Sequence, residues 1–541
     1  MDNSLPLVPE PRNEPVLNYL PDSPETMMLK KQLVALASSE IEIPILINGK
    51  EVRTGKLASC HVPHDHKKKL ATYHKAGPEQ VKAAIEGALK AQASWARTPA
   101  SERASIFLKA AELLAGKYRP ILNAATMLGQ SKTCYQAEID AACELIDFFR
   151  FNVHFQQQIY GIQPSSAPGF WNRMEYRPLE GFVFAVTPFN FTSIGGNLST
   201  SPAMLGNVVL WKPASSSVYS NYFIMKLLQE AGLPPGVIQF VPGSGAEVGD
   251  PVIADKNLAG IHFTGSTKVF QQMWKDIGSN IQNYRSYPRI VGETGGKNFV
   301  FAHLSADVEV LTTALIRGAF EYQGQKCSAA SRAYIPKSLW PKLKDRLIAE
   351  IKTIKMGDVT DFRNFMGAVI DRGSFDNIRD YIDGAKKSSE AEIVVGGGCD
   401  DSLGFFVEPT IIKVDNPKYR TMVEEIFGPV LTLYVYDDEK WEEMLAVCDS
   451  SSPYALTGAI LGQDRSFVQK ATAALTNSAG NFYINNKPTG AVVNQQPFGG
   501  ARGSGTNDKA GSLFNLVRWV SVRTVSETFA PPTSFRYPFM L

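Results

Sequence analysis

Apolar positions along the chain change their spacing twice. Between about 78 and 154 they recur every three or four residues: PEQVKAAIEGALKAQASWA sets Val81, Ala84, Ile85, Ala88 and Leu89 on one face, and AEIDAACELIDFFRFNVHF does the same with Ile139, Ala142, Leu145, Ile146 and Phe149. That is the 3.6-residue period of amphipathic helices. A Ser/Pro/Gly-rich stretch at 160–170 ends the helical region. Beyond it the runs become short and continuous, as in GFVFAVT (181–187), NVVLWKP (207–213), VIQFVP (237–242) and GIHFTG (260–265). Unbroken apolar runs of this length mark strands covered on both faces. Helical stretches such as YSNYFIMKLLQEAGL lie between them, and strand–helix–strand alternation predicts a parallel sheet with covering helices. A second alternating section starts at PRIVGETGG (288–296) and runs to about 485. The pattern therefore predicts two α/β domains in tandem. Residues 1 to about 40, Pro-rich and acidic, read as an extended arm leading into a short helix.

Composition narrows the class. A length of 541 residues allows two to four domains, at roughly 150 residues each. With 44% hydrophobic and 20% charged residues the core is large and needs no disulfide or metal. A net charge of +2 gives no bias toward nucleic acid or acidic lipid. The six cysteines, at 60, 134, 143, 327, 399 and 448, form no CxxC pair, which fits a reducing intracellular compartment better than a disulfide framework. The seven histidines show no HExxH spacing. No stretch of 18 apolar residues exists, so no membrane span is expected. The N-terminal stretch has neither the Arg-rich pattern of a transit peptide nor the apolar core of a secretory signal, so no address is visible in it.

Several residues carry candidate chemistry. Cys327, in EYQGQKCSAASR, follows a turn suggested by Gly324 and Gln325, with Lys326 adding positive charge. A thiolate is the reactive form of such a side chain, but a free cysteine is more often packed and inert. Glu293, in RIVGETGGKNFVF, is presented by a Gly-rich turn at the end of an apolar strand; it is either a surface carboxylate or a general base for water. Asn190, in AVTPFNFTSIGGN, lies just past the carboxyl end of the 181–187 run. Ligands bind at that edge in open parallel sheets, and an amide there is either a turn residue or a donor to an oxyanion. Two glycine-rich elements, GSGAEVG (243–249) and FTGSTKVF (263–270), each follow a strand and open a helix; composition does not choose between them as a pyrophosphate site.

Taken in order, TPFNF, VVLWKP, FTGST, GETGGKN, GQKCSA, EEIFGPV and QPFGG resemble the aldehyde dehydrogenase superfamily from about residue 15 to the end. The resemblance implies that superfamily's α/β fold: a Rossmann-like parallel-sheet cofactor domain (1–155 and 181–287), an α/β catalytic domain (288–486), and a β oligomerisation flap with tail (156–180 and 510–541). It implies Cys327 as nucleophile, Glu293 as general base and Asn190 as oxyanion donor. For the cofactor it implies NAD, with Thr187 at the strand end, Lys212 at the adenosine ribose, Gly265 and Ser266 at the pyrophosphate, Glu425 at the nicotinamide ribose and Phe427 beside the nicotinamide. Ser215 stands where many relatives carry an acidic residue that repels a 2′-phosphate, which leaves room for some NADP use.

Finer motifs, among them NEPVLNYLPDSPE, GQKCSAASRAYIP and NFYINNKPTGAVVNQQPFGGARGSGTNDK, resemble the delta-1-pyrroline-5-carboxylate dehydrogenases within that superfamily. This implies oxidation of glutamate 5-semialdehyde to glutamate in proline breakdown. The substrate carboxylate is then held by Ser328 and the N–H groups of Gly490 and Ala491, a position where some members carry Ser. Phe191 and Phe498 are implied as aromatic walls, and Glu144 as a carboxylate near the site. Two alternatives stand beside this reading: a dehydrogenase for another aliphatic aldehyde, including one that passes the acyl group to coenzyme A, and a non-catalytic member. Retention of Glu293 argues against the coenzyme A version, and retention of Cys327, Glu293 and Asn190 argues against the last. The resemblance also implies a homodimer at least, with 156–180 and 515–530 at the interface, and a location in the mitochondrial matrix, or the cytoplasm if no presequence is present.

Overall fold

The computed structural model describes residues 6–540. Two seven-stranded sheets organise them. The first has the order Arg289–Glu293, Leu258–Thr264, Phe182–Val186, Val208–Lys212, Ile238–Phe240, Ile45–Ile47 and Lys50–Val52. The first five strands are parallel and the last two add an antiparallel edge. Every residue of Leu258–Thr264 is buried, which is why this strand appears in the sequence as an uninterrupted apolar run. The edge strands Ile45–Ile47 and Lys50–Val52 are joined by Asn48 and Gly49 with φ of 54° and 74°, the left-handed pair that a two-residue hairpin requires.

The second sheet has the order Ala391–Val395, Thr410–Val414, Val430–Tyr436, Ala330–Pro336, Asn298–Ala302, Thr457–Leu461 and Asn481–Ile484. Six of its strands are parallel, and the outermost, Ala391–Val395, is antiparallel. The helical region comprises Pro78–Trp95, Ala100–Leu113, Arg119–Gln130 and Leu145–Gly161, the last preceded by a π-helical stretch at Glu138–Glu144. Outside the two sheets, Phe170–Pro178 pairs along its whole length with Val520–Thr528 in an antiparallel ribbon. No helix among the described residues is long and apolar enough to cross a membrane.

The N-terminal arm is tied down by charge rather than by regular structure. Glu138 has a side chain fully removed from solvent and pairs with Arg119. It also accepts from the Leu17 N–H at 2.9 Å and the Tyr19 hydroxyl at 2.8 Å. Arg119 reaches Glu14 at 2.6 Å and the Pro15 carbonyl at 2.8 Å. Burial pushes the Glu138 carboxyl up, but the Arg119 guanidinium and these donors outweigh it and hold the group below the usual carboxylate range. A depressed carboxyl contributes stability above its unfolded pKa, and that contribution is lost as pH falls through the folded value.

Replacing Arg119 by Ala leaves the Glu138 carboxylate buried without its cation. The expected loss is about 3–5 kcal/mol, read as a lower unfolding midpoint near pH 7. The deficit relative to the parent protein should shrink as the medium is made acid enough to protonate Glu138. A variant as stable as the parent at pH 7 would contradict this account of the arm.

Candidate active site

The carboxyl edge of the first sheet faces the amino edge of the second. From the first come Thr187 and Asn190 after Phe182–Val186, Lys212 ending Val208–Lys212, Gly265 and Ser266 after Leu258–Thr264, and Glu293 ending Arg289–Glu293. From the second come Cys327 just before Ala330–Pro336 and Glu425 and Phe427 just before Val430–Tyr436.

Cys327 is set by a strained turn. Tyr322, Gln323 and Gly324 carry φ of 51°, 55° and 66°, three successive left-handed residues of which only one is glycine. Such conformations persist when their surroundings impose them. Here the Gln323 amide donates to the carbonyls of Ser131 at 3.0 Å and Ala368 at 2.8 Å, and its oxygen accepts from Gly367 N–H at 3.0 Å. The Gln325 oxygen accepts from Ile370 N–H at 2.9 Å. Asn298 donates to the carbonyls of Cys327 at 2.7 Å and Ala329 at 2.8 Å. A side chain at Gly296 would collide with the Cys327 carbonyl, so the GETGGKN turn must be bare at that point.

A cavity of about 260 Å³ opens onto Cys327. It is lined as well by the predicted Glu144, Phe191, Glu293, Ser328, Gly490, Ala491 and Phe498. Asn190 stands behind this wall and donates to the Gln325 carbonyl at 3.1 Å, two residues before the thiol. Its amide carries a second hydrogen, and the Cys327 N–H has no protein acceptor among the described residues. Burial pushes the Cys327 thiol up to about 12, and the charges of Glu293, Glu425 and Glu144 add to this, against the Ser328 N–H. Burial also lifts Glu293 well above the ordinary carboxylate range, opposed by Gly500 N–H and Lys509. Glu144 rises to about 8, from burial and the nearby Asp140, although Ser193 donates to it at 2.6 Å. The thiol thus sits near two carboxyl groups, Glu293 and Glu144, whose protonated forms burial favours.

The far end of the cavity suits an anion. Gly490 has φ of +100°, and the N–H groups of Gly490 and Ala491 have no acceptor among the described residues. The Ser328 hydroxyl lies 2.7 Å from that of Thr489. Lys326 pairs with Glu321 at 2.9 Å, and Lys487, 4.0 Å from the same carboxylate, donates to the Thr489 carbonyl at 3.2 Å. Two cations against one carboxylate leave a positive excess beside the free N–H groups.

The predicted cofactor residues form a separate row. Ser266 caps Thr267–Ser279, its hydroxyl accepting from Val269 N–H. The Gly265 N–H donates to the Glu293 carbonyl at 3.2 Å, which ties the start of this turn to the strand carrying Glu293. Lys212 is buried with, among the described residues, only the Pro213 carbonyl, at 3.4 Å, as partner, and burial lowers its pKa to about 8. A buried ammonium without an anion is a donor waiting for ligand oxygens. Glu425 accepts from Gly296 N–H at 2.9 Å, and Phe427, at φ 58°, packs edge-on against Phe189. Thr187 uses its hydroxyl to accept from Trp211 at 2.9 Å. GSGAEVG opens the helix Gly245–Ala254, with Ser244 as its cap.

Several positions of consequence escape sequence reasoning. Lys132 is wholly buried between the rings of Phe191, at 4.0 Å, and Tyr322, at 4.5 Å. It pairs at 2.7 Å with Asp140, whose carboxylate accepts the Thr192 and Ser193 N–H groups and so fixes the helix start next to Asn190 and Phe191. Gln323, Asn298 and Lys487 were likewise not singled out. The amide in GETGGKN and the lysine in NNKPTG were the available signals.

The model of the aldehyde dehydrogenase family matches residues 52–525. A relative from Dictyostelium discoideum, named delta-1-pyrroline-5-carboxylate dehydrogenase, mitochondrial, is 56% identical over 537 residues, 99% of this chain and 96% of its own. A bovine relative of the same name is 49% identical over 98% of this chain and 94% of its own. Among solved structures, the delta-pyrroline-5-carboxylate dehydrogenase of Mycobacterium tuberculosis bound with NAD superposes with a TM-score of 0.96 at 53% identity, covering all of both chains. The Thermus thermophilus 1-pyrroline-5-carboxylate dehydrogenase R100A mutant gives a TM-score of 0.90 at 30% identity over 96% of this chain and all of its own. The thiol turn, the facing sheet edges and these matches lead to one conclusion: the chain belongs to the aldehyde dehydrogenase family.

Proposed function

We propose that this protein oxidises glutamate 5-semialdehyde, the open form of 1-pyrroline-5-carboxylate, to glutamate, with NAD as the oxidant and a thioester on Cys327 as the intermediate. The observation that carries this reading is a cavity with two chemically distinct ends: a thiol flanked by a raised carboxyl at one, and free N–H groups flanked by two lysines at the other. A short chain with an aldehyde at one terminus and a carboxylate at the other fits both at once. The names of the relatives supply the same substrate.

The substrate carboxylate is held by the Gly490 and Ala491 N–H groups and the Ser328 hydroxyl, with Lys326 and Lys487 supplying positive potential. Binding at that end fixes the aldehyde carbon next to Cys327. The Cys327 thiol gives its proton up to solvent, and the thiolate sulfur adds to the carbonyl carbon. The resulting oxyanion accepts from the Asn190 amide and the Cys327 N–H. NAD, which Lys212, Ser266 and Glu425 would hold beside Phe427 and Thr187, would supply the hydride acceptor. After the acyl group is left on Cys327, Glu293 takes a proton from water and the thioester is hydrolysed.

We also propose that the chain works as a homodimer or larger assembly. The ribbon of Phe170–Pro178 and Val520–Thr528 exposes Trp171 and Val522, and the tail beyond it exposes Phe529 and Phe535. An apolar ribbon with open edges gains from a second copy. Light scattering should give at least twice the 59.3 kDa of one chain, and removal of residues 520–541 should reduce it to one; a monomeric full chain would sink this assignment.

Three kinetic outcomes test the chemistry. The efficiency with pyrroline-5-carboxylate should exceed that with propanal by roughly a hundredfold or more, from two or so charge-assisted hydrogen bonds, and equal efficiencies would remove the anion anchor. Cys327→Ala should abolish turnover. Glu293→Gln should release about one NADH per site and then slow by roughly 10²–10⁴ as acyl-enzyme accumulates. The same variant removes a negative charge that opposes thiolate formation. Its rate of alkylation by iodoacetamide should therefore rise at lower pH than in the parent, whose thiol is held up near 12. An unmoved or higher midpoint would contradict the coupling of the two groups.

A further inference from the structure

The N-terminal arm reaches the substrate cavity. Asn13, Glu14 and Val16 line it together with Glu144 and Gly490. One side chain there joins three separate parts of the molecule. The Asn13 amide nitrogen donates to Asp147 Oδ2 at 2.8 Å and to the Val493 carbonyl at 3.0 Å, and its oxygen accepts from Gln495 Nε2 at 3.0 Å. Both amide hydrogens and the carbonyl oxygen are thus in use, an arrangement that only Asn or Gln offers among side chains. Asp147 lies three residues beyond Glu144, and Val493 lies two beyond Ala491.

The arm end of this clip is stiff. The Glu14 N–H donates to Asp147 Oδ1 at 2.7 Å, so both carboxylate oxygens of Asp147 are occupied by arm residues. Glu14 pairs with Arg119 at 2.6 Å and with Arg150 at 2.7 Å. The loop end is anchored by one buried side chain, Val493, and otherwise by few hydrogen bonds. Gly490, Asn494 and Gln495 are exposed, and the backbone between 490 and 497 is secured by Val492 N–H to the Gln496 side chain at 2.9 Å, by the turn bonds of Gln495 and Gln496 to the Val492 carbonyl at 3.0 Å, and by Asn494 N–H to the Gly511 carbonyl at 3.3 Å. A tether from a rigid element to a loop with few other hydrogen bonds fixes where that loop's N–H groups point.

We infer that Asn13 is a positioning residue for the carboxylate anchor: it ties the Gly490–Ala491 loop to the helix bearing Glu144 and thereby sets specificity for a substrate with a terminal carboxylate. The inference rests on the anchor reading given under the proposed function. Asn13 acts through the loop, so its effect falls on substrates that use the loop and on their binding.

The test compares the parent, Asn13→Ala, Asn13→Asp and Gln495→Ala with pyrroline-5-carboxylate and with propanal at saturating NAD. Asn13→Asp keeps the shape and removes both donors; Gln495→Ala loosens the loop end and leaves the arm untouched. Both Asn13 variants should raise KM for pyrroline-5-carboxylate by roughly five- to tenfold, the size of one or two lost hydrogen bonds, with kcat and the propanal efficiency unchanged. Gln495→Ala should change the same KM in the same direction by less. Unchanged KM values, or equal losses with both aldehydes in a folded Gln495→Ala protein, would overturn the inference. A parent enzyme that does not prefer pyrroline-5-carboxylate to propanal would overturn the anchor reading itself, and the inference with it; a parent that prefers it while the variants keep its ratio sinks the inference alone.

Discussion

Everything at this site depends on holding one turn in a conformation the chain would not choose. Three successive left-handed residues, Tyr322, Gln323 and Gly324, bring Cys327 out between the two sheets. Each non-glycine residue held this way costs on the order of 1–3 kcal/mol. The compensation is spread through side-chain amides that bind backbone from distant segments. Gln323 holds Ser131, Gly367 and Ala368, and Asn298 holds the carbonyls on either side of Ser328. A neutral amide suits that task, since it can donate and accept at once without adding charge beside a group that must ionise.

The facing edges of the two sheets divide the work that follows. Strand ends of the first carry Asn190, Lys212, Ser266 and Glu293; strand beginnings of the second carry Cys327, Glu425 and Phe427. The pocket between them holds more carboxyl groups than cations at its thiol end and more cations than carboxyl groups at the other. Burial works against both, since desolvation favours the neutral forms: it raises the Glu293 and Glu144 carboxyls and, in the cofactor row, lowers Lys212. The polarity along the cavity thus comes from which groups line each end, and desolvation tempers their charge.

Legibility in the sequence followed the range of the interactions. Strands such as Phe182–Val186 and Leu258–Thr264 were readable because burial on both faces leaves an unbroken apolar run. The short edge strands Ile45–Ile47 and Lys50–Val52 were not, being three residues each. Cys327, Glu293 and Asn190 were visible through local motifs. What the motifs left out was every partner far away in sequence: Lys132 between two aromatic rings, Gln323 reaching across 192 residues to Ser131, and Asn13 meeting Val493. The bond from the Gly265 N–H to the Glu293 carbonyl, on a neighbouring strand, is of the same kind. Local pattern speaks about the backbone's own period and says nothing about which distant carbonyl a side chain will meet.

The ribbon of Phe170–Pro178 with Val520–Thr528 sets an order in time. Its two halves are separated by more than 340 residues of chain, so on the ribosome the first strand emerges with no partner and waits until the second has been made. At about 5–20 residues per second that interval lasts some tens of seconds, during which an apolar edge is unprotected. Trp171, whose backbone pairs with Glu527 in the finished ribbon, lacks that partner for all of that interval. The ribbon is therefore complete only after the catalytic sheet between its two strands has been synthesised, so any contact that needs both strands forms late.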